Sequence, residues 1–333
     1  MKKVLVTGAA GFIGSHVVEE LTRRGVEVRA AVMPRESTRN IDAFRPEIIT
    51  GNILDKAFVE KAIAGVDHVF HLAAVYSTWM PDWKPLWEVN TQGARNMLWA
   101  CKHSDTVQRV VYTSSLSAIG ITPGKEISDE DTPFNQYSAT PYVLSKYLSQ
   151  QEAIGFAQNG LDLVVVNPCF PFGPGDVAPT PTGNIILQMM KGLTRLKVEG
   201  GFNVVDVRDV ALGHVLAAEK GRCGEKYLLG NSNLTGEEFS RLVARALGQE
   251  HAFMIPVPAN AMKALAFATE LVTENLLKDK RPPFTLGEIK YGTQHAFMSV
   301  DKARRELGYA PRDVSISVRD AIRWFRENGY TAD

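Results

Sequence analysis

Tyr142 and Lys146 stand four residues apart in the stretch "PYVLSKYLSQ", residues 141–150, whose pattern reads as a helix that brings both side chains to one face. A free tyrosine hydroxyl has a pKa near 10, so it exchanges a proton at neutral pH only where a nearby cation favours the phenolate. A shift of three units corresponds to about 4 kcal/mol, and Lys146, one helical turn on, can supply that field. Upstream, "VVYTSSLSAIG" sets Thr113, Ser114 and Ser115 at the end of a predicted strand. A serine hydroxyl at that edge can hold a substrate oxygen while Tyr142 gives or takes its proton. The spacing alone does not separate this device from two neighbours on a helix surface; the surrounding elements have to.

Those elements alternate. "KKVLVTG", "VEVRAAV", "VDHVFHLAA", "RVVYTSS" and "LDLVVVNP" read as strands, and so does "NVVDVRDVA". "SHVVEELTRRG", ended by Gly25, and "KAFVEKAIAG" read as amphipathic helices between them. Strands separated by helices imply a parallel sheet, because parallel neighbours need a crossover and the crossover is usually a helix. The predicted class is therefore α/β, a Rossmann-type doubly wound parallel sheet with a smaller C-terminal substrate-binding region. After Pro168 the texture changes to the Pro- and Gly-rich "NPCFPFGPGDVAPTPTG". We expect a dinucleotide-binding domain over 1–168, with 203–225 returning to it, and a mainly substrate-binding region over 169–202 and 226–333.

A glycine pattern opens the chain. "TGAAGFIG" follows the first strand with Gly8, Gly11 and Gly14 spaced G-x-x-G-x-x-G and with Phe12 and Ile13 between the last two. Glycines there let the backbone turn tightly and approach a pyrophosphate, which then sits on exposed N–H groups at the start of the next helix. A nicotinamide dinucleotide so bound would move a hydride while Tyr142 moves the proton. NAD sites usually end the second strand with an acid for the ribose hydroxyls. Here "VRAAVMPRESTRN" has none at Val32 or Met33, and Arg35, Ser37 and Arg39 follow, so NADP is preferred, with NAD left open by Glu36. Ligands in open α/β sheets bind beyond the carboxyl ends of strands. "GNILD" thereby offers Asn52 and Ile53 near the adenine, and "HLAAV" offers Leu72, Ala73 and Ala74 as a floor under the cofactor. His71, inside an apolar strand, reads as structural.

Composition limits the alternatives. Lys+Arg and Asp+Glu both count 37 in 333 residues, so no net field gathers nucleic acid or an anionic membrane, and any binding is local. Cys101, Cys169 and Cys223 lie far apart without a CxxC spacing, which argues for buried thiols and against a disulfide framework or a metal cluster. No stretch gives eighteen apolar residues together and the N-terminus is no secretion signal. A cytoplasmic protein with a small-molecule substrate, no metal and no membrane insertion is expected.

Taken together, "TGAAGFIG", "GNILD", "HLAAV", "NTQGARNML", "VVYTSS", "YVLSK", "NPCFPFGPGD", "VVDVRDVA" and "SVDKARRELGYAPR" resemble the extended short-chain dehydrogenase/reductase family nearly end to end. The resemblance implies a triad of Ser115, Tyr142 and Lys146, with Lys146 also on the nicotinamide ribose, Asn90 as a support near the active site, and Thr113 and Pro168 beside the cofactor. Tyr137 is a competing tyrosine, but Pro141 occupies the place of its lysine. Within the family the chain looks most like the dihydroflavonol-reductase-like branch, NADP-dependent reductases of ketones and aldehydes. It is also reminiscent of hopanoid-associated sugar epimerases through "VNPCFPFGPGDVAPTPTGNII". Nucleotide-sugar enzymes usually carry an Arg-Asp-Phe stretch before "DVA" and arginines for the diphosphate. Here "VEGGFNVVDVRDVA" holds Arg208 without that run.

Two segments bear on substrate. Trp79, Trp83 and Trp87 recur every four residues, though Pro81 and Pro85 interrupt any helix, and a packed flap is favoured over a substrate wall. "PANAMKALAFATELVTENLLKD" suits an amphipathic helix closing over the substrate. A sensor or scaffold that binds a dinucleotide without chemistry is the reading from another class, and the presence of both Tyr142 and Lys146 weighs against it. The helix "SKYLSQQEAIGFAQNG" has apolar positions to spare for a homodimer.

Overall fold

The computed structural model describes residues 1–137, 139–192, 196–197, 199–249, 255–276, 281–282 and 285–331. In chain order its first elements are β1 (Lys3–Thr7), α1 (Phe12–Arg23), β2 (Glu27–Val32), β3 (Glu47–Thr50), α2 (Lys56–Ile63), β4 (His68–His71), α3 (Lys84–Trp87), α4 (Ala94–Lys102) and β5 (Arg109–Thr113). There follow α5 (Pro141–Gln158), β6 (Leu163–Pro168), β7 (Phe170–Phe172), α6 (Pro181–Met190), β8 (Leu196–Lys197), β9 (Gly201–Asp206), α7 (Val207–Lys220) and β10 (Lys226–Leu229). The chain closes with β11 (Ser232–Thr235), α8 (Gly236–Ala246), β12 (Ile255–Pro256), α9 (Ala259–Leu276), α10 (Leu286–Gly292), β13 (His295–Ala296), α11 (Asp301–Leu307) and α12 (Val314–Glu327).

Seven strands form one sheet in the order β10-β6-β5-β4-β1-β2-β3, all parallel. The chain winds outward from β1 to β3 on one side and from β4 to β6 on the other, so the direction reverses between β1 and β4. At that switch point the carboxyl ends of two strands diverge and leave a crevice. Valines and leucines of the central strands are buried on both faces, as a parallel sheet covered by helices requires. One face packs on α1 and α7 through Val17, Val18, Leu21, Val210 and Val215, the other on α2, α4 and α5 through Val59, Met97, Leu98 and Ala153.

A second, smaller sheet is built on β9, which pairs with β11 antiparallel and with β7 and β13 in parallel. Helices α6, α8 and α12 close its core through Phe172, Ile186, Leu187, Phe239, Val318, Ile322 and Phe325.

The predicted helices at 15–25 and 56–65 form, α1 ending where Gly25 takes a left-handed φ of 74°. "NVVDVRDVA" is strand only as far as Asp206, whose carboxylate accepts from the Arg208 N–H at 2.8 Å and caps α7. Its strand belongs to the small sheet, whereas α7 packs on the large one, and β10 at 226–229 is the large sheet's edge. β3 carries no alternating pattern, in keeping with a short edge strand whose Ile48 is exposed. Cys101 and Cys169 are buried as expected, but Cys223 is exposed, in the glycine-bounded turn that leads from α7 into β10. Trp79 and Trp83 precede α3, and only Trp87 lies in it. Of the long apolar segment, Ala259–Leu276 is helical as expected, and residues 277–279 lie outside the described residues. Among the described residues no helix is long and apolar enough to cross a membrane.

The loop from β1 into α1 folds back on itself with no room for a side chain. Gly8 has a φ of 65°, and a Cβ on Gly14 would stand 2.0 Å from the Gly8 carbonyl oxygen. Gly14→Ala is expected to lower the unfolding free energy by about 1–3 kcal/mol, as overpacking does, read as a fall in the urea midpoint at unchanged slope.

Candidate active site

One cavity of about 730 Å³ runs along the carboxyl edge of the large sheet and under the small one. Its wall gathers Gly8, Gly11, Phe12, Ile13 and Gly14 from the β1–α1 loop, Asn52 and Ile53 beyond β3, Leu72, Ala73 and Ala74 beyond β4, and Pro168 at the end of β6. Thr113, Ser115, Tyr142 and Lys146 line the same space. The sequence-predicted residues missing from the wall are Arg35, Arg39 and Asn90.

Thr7, fully buried at the end of β1, organises the floor. Its Oγ1 accepts from the N–H groups of Leu72 and Ala73, each at 3.1 Å, and its proton goes to His71 Nδ1 at 2.9 Å. Burial lowers the His71 pKa to about 3, with Lys146 adding to the effect, so the imidazole is neutral and Nδ1 is free to accept. His71 is thus structural, as read from the sequence. A Cβ on Gly8 would stand 3.0 Å from the Ala73 nitrogen, so the glycine loop and the floor approach as closely as backbone allows. These features fit a nucleotide diphosphate: a loop without side chains, the amino end of α1, and small residues beneath.

Helix α5 carries the sequence-predicted pair. Thr140 precedes it, Pro141 stands at its first turn, and Tyr142 and Lys146 follow on one face. The buried Lys146 Nζ donates to the Thr113 carbonyl at 2.8 Å and lies 5.7 Å from the Tyr112 ring centre. Thr113 is itself fixed: its hydroxyl donates to His214 Nε2 at 3.0 Å, because His214 Nδ1 donates to the Val210 carbonyl at 2.7 Å. Burial lowers the Lys146 pKa to about 8.

The Tyr142 hydroxyl sits beside those of Ser115 and Ser117, which favour its phenolate, but burial outweighs them and its pKa is raised. The expected lowering by Lys146 is not what the structure shows, since the ammonium points to a backbone carbonyl and the phenol is held protonated by its surroundings. Tyr76 packs on the Tyr142 ring with centroids 4.7 Å apart. Ser115 Oγ accepts from the Ser117 N–H at 3.2 Å, which leaves its own proton to donate. The neighbouring Ser114 hydroxyl is buried without a partner. Ser117 was not anticipated; nothing in "SSLSAIG" marks the third serine until the short turn at Leu116–Ala118 brings it round.

Asn90 stands one layer behind. Its amide bonds both backbone groups of Val75, at 2.7 and 3.0 Å, and donates to Ser145 Oγ on α5 at 3.0 Å. It holds the strand-end loop to α5 and does not line the cavity. It lies in a π-turn at Glu88–Gly93, an irregularity often found at functional sites. Arg35 and Arg39 are exposed, and the Arg39 guanidinium donates to Asn328 Oδ1 at 3.0 Å because the loop turns outward toward α12. The wall at that place carries Met33 and Glu36, whose carboxylate accepts from the Met33 N–H at 2.8 Å. Helix α9 contributes nothing to the wall among the described residues; Gly287 and Gly292 of α10 do. No group of His, Cys, Asp and Glu among the described residues could hold a metal.

Residues 4–230 match the NAD dependent epimerase/dehydratase family, and the chain belongs to it. A relative in Synechocystis sp. bearing the provisional name dihydroflavonol 4-reductase is 34% identical, over 98% of this chain and 95% of its own. Among solved structures, gox2253 shares 36% identity over the full length of both chains with a TM-score of 0.88. A nucleoside-diphosphate-sugar epimerase from Pseudomonas aeruginosa shares 27% over 99% of each chain with a TM-score of 0.80. The protein is thus an NAD(P)-dependent enzyme of the extended short-chain dehydrogenase/reductase type, with relatives that reduce and relatives that epimerise.

The depressed Lys146 pKa makes a test. Between about pH 8 and 10.5 the unfolded chain keeps this proton and the folded one has lost it, so stability rises with pH through that window. Below it the whole burial cost remains, about 3 kcal/mol for the shift from 10.5 to about 8. Lys146→Met is expected to raise the melting temperature at pH 7, with the gain shrinking as pH climbs toward 10.5. Calorimetry across that range checks it, and a gain independent of pH would refute the assignment.

Proposed function

We propose that the protein is a reductase that converts an apolar ketone or aldehyde to its alcohol with a nicotinamide dinucleotide. The observation that carries this reading is the charge of the cavity wall: among the described residues it holds Glu36 and Lys146 and no other charged side chain. A nucleotide sugar brings a diphosphate whose burial calls for cations, and among the described residues none lines the space left for substrate. Arg208, the one arginine the sequence offered for that task, is bound to Asp206 at 2.6 Å and to Asp320 at 2.8 Å.

When bound, the reduced dinucleotide supplies the hydride that goes to the carbonyl carbon. Ser115 donates to the carbonyl oxygen and holds it at the Tyr142 hydroxyl. Tyr142, kept protonated by burial, gives its proton to that oxygen as the alcohol forms. Lys146 is the cation nearest the reacting end, and Thr113 fixes it there. The Gly8–Gly14 loop would hold the diphosphate, Asn52 and Ile53 would lie near the adenine, and Leu72, Ala73, Ala74 and Pro168 would floor the nicotinamide half.

NADP is the proposed partner, supported by a second strand that ends without an acid and by the exposed Arg35 beside the wall. Glu36 supports the alternative, because a carboxylate on the wall would repel a 2′-phosphate and accept from a ribose hydroxyl. Exposed Trp99 on α4 and Leu148 on α5 support a homodimer packed through these helices.

Tyr142→Phe is expected to lower kcat about 10²–10⁴-fold with little change in KM, in assays of apolar aldehydes with NADPH. Mass spectrometry of the nucleotide released from freshly denatured protein separates the second reading. A reductase must exchange its cofactor at every turnover, so abundant retained NAD would favour a nucleotide-sugar epimerase. Tighter binding of NADH than of NADPH by the wild type, reversed in Glu36→Gln, would give the preference to Glu36 and to NAD.

A further inference from the structure

Once the dinucleotide and the carbonyl are assigned their residues, part of the wall is left over. It comes from α6 with Ile185 and Met189, from β9 with Phe202, and from α8 with Phe239. Three hydroxyls also lie there, and the proton of each is committed. Thr180 Oγ1 donates to Asp176 Oδ2 at 2.8 Å, Thr182 Oγ1 to the Pro171 carbonyl at 3.1 Å, and Ser240 Oγ to the Gly236 carbonyl at 2.7 Å. A polar group placed against these side chains would lose its water and gain no hydroxyl proton from the three. Behind it the Phe202 and Phe239 rings pack edge to face, 5.2 Å between centroids, and Phe172 lies 4.8 Å from Phe239, so the surface is backed by fixed aromatic packing. Ile185 and Met189 are one helical turn apart and both face the cavity, which makes a stripe along α6 rather than a single socket. The methionine side chain adapts to whatever lies along it.

We infer that this stripe, with Phe202 and Phe239 packed beside it, is a subsite for an extended hydrocarbon chain carried by the carbonyl substrate. The inference rests on the proposed reduction for the position of the carbonyl, but the subsite is defined by its wall and can be tested apart from turnover. Chain atoms leave water on entering it, and each added methylene strengthens the complex until the stripe is covered.

The test uses the straight-chain aldehydes from butanal to dodecanal with the wild-type protein and NADPH. The expected kcat/KM rises by roughly fourfold per methylene and then levels off. Met189→Trp and Ile185→Trp, which shorten the stripe, are expected to lower the decanal-to-hexanal ratio of kcat/KM by about tenfold or more. Calorimetric titration with decan-1-ol reads the subsite without chemistry, and binding weakened by either tryptophan supports the inference even if no carbonyl is reduced. A kcat/KM flat across the wild-type series, a preference for compact aryl ketones over decanal, or no detectable decan-1-ol binding would overturn it.

Discussion

The Thr7 hydroxyl is the contact on which the cavity depends. It sits at the switch point of the sheet, where β1 and β4 part, and it carries the pairing past the ladder by accepting from Ala73 and sharing the Leu72 N–H with the Thr7 carbonyl. That exchange lets β4 stop at His71 and turn Leu72, Ala73 and Ala74 into a floor without stranding their amides in the interior. The floor then sets the clearance above it. Gly8 is glycine because its φ of 65° is left-handed and a Cβ would press within 3.0 Å of Ala73, and Gly14 because a Cβ would stand 2.0 Å from the Gly8 carbonyl oxygen. A neutral His71, kept so by burial, completes the arrangement by taking the Thr7 proton. One hydroxyl therefore joins the strand that begins the fold to the strand that carries the site.

Charge is distributed to the same end. Two buried acids are matched by arginines: Asp206, with the half-buried Asp320, holds Arg208, and Asp209 holds Arg312 at 2.9 Å. Those pairs lock α7 to α12 and to the segment before it. Lys146 is different, because its ammonium is buried against a carbonyl dipole with no carboxylate bonded to it. A cation held at the edge of the cavity and a phenol held neutral beside it form a donor arrangement. Their positions are fixed from behind by Thr113, His214, Asn90 and Ser145, none of which needs to move during a proton transfer.

The inner strands β1, β2, β4, β5 and β6 of the large sheet were legible in the sequence as apolar, β-rich runs, whereas the edge strands β3 and β10 were not, β3 because it is short and largely exposed. The glycine loop and the Tyr142–Lys146 pair were legible too, where local pattern and chemistry coincide. What was hidden depends on distant partners. The path of the second strand's loop, which turns Arg39 toward Asn328 and leaves Glu36 on the wall, is set by α12, nearly three hundred residues on. The end of "NVVDV" at Asp206 is a capping event, not a hydrophobic one. Ser117 enters the site through a single turn of 3₁₀ helix, and Asn90 leaves the wall because Val75 claims both ends of its amide. The raised phenol pKa was missed for a related reason: four-residue spacing tells which face Lys146 shares with Tyr142, but not that Thr113 takes its hydrogen bond.

A backbone that superposes on a sugar-nucleotide epimerase over nearly its whole length cannot by itself decide what this protein does. Reduction and epimerisation both place a tyrosine, a serine and a nicotinamide around one carbon, so the reacting end is common ground. The difference must lie where the substrate is held, and there the two demands are opposed. A nucleotide diphosphate needs cations and a sugar needs donors, whereas the wall of α6, β9 and α8 offers apolar side chains and hydroxyls whose protons are already committed. Opening those hydroxyls to a sugar would break the caps and turns at Asp176–Gly183, so the apolar character of the wall is tied to the folding of the region that forms it. In the reduction we propose, the same bonds that build the smaller sheet's flank thereby restrict what the larger sheet can be given to react with.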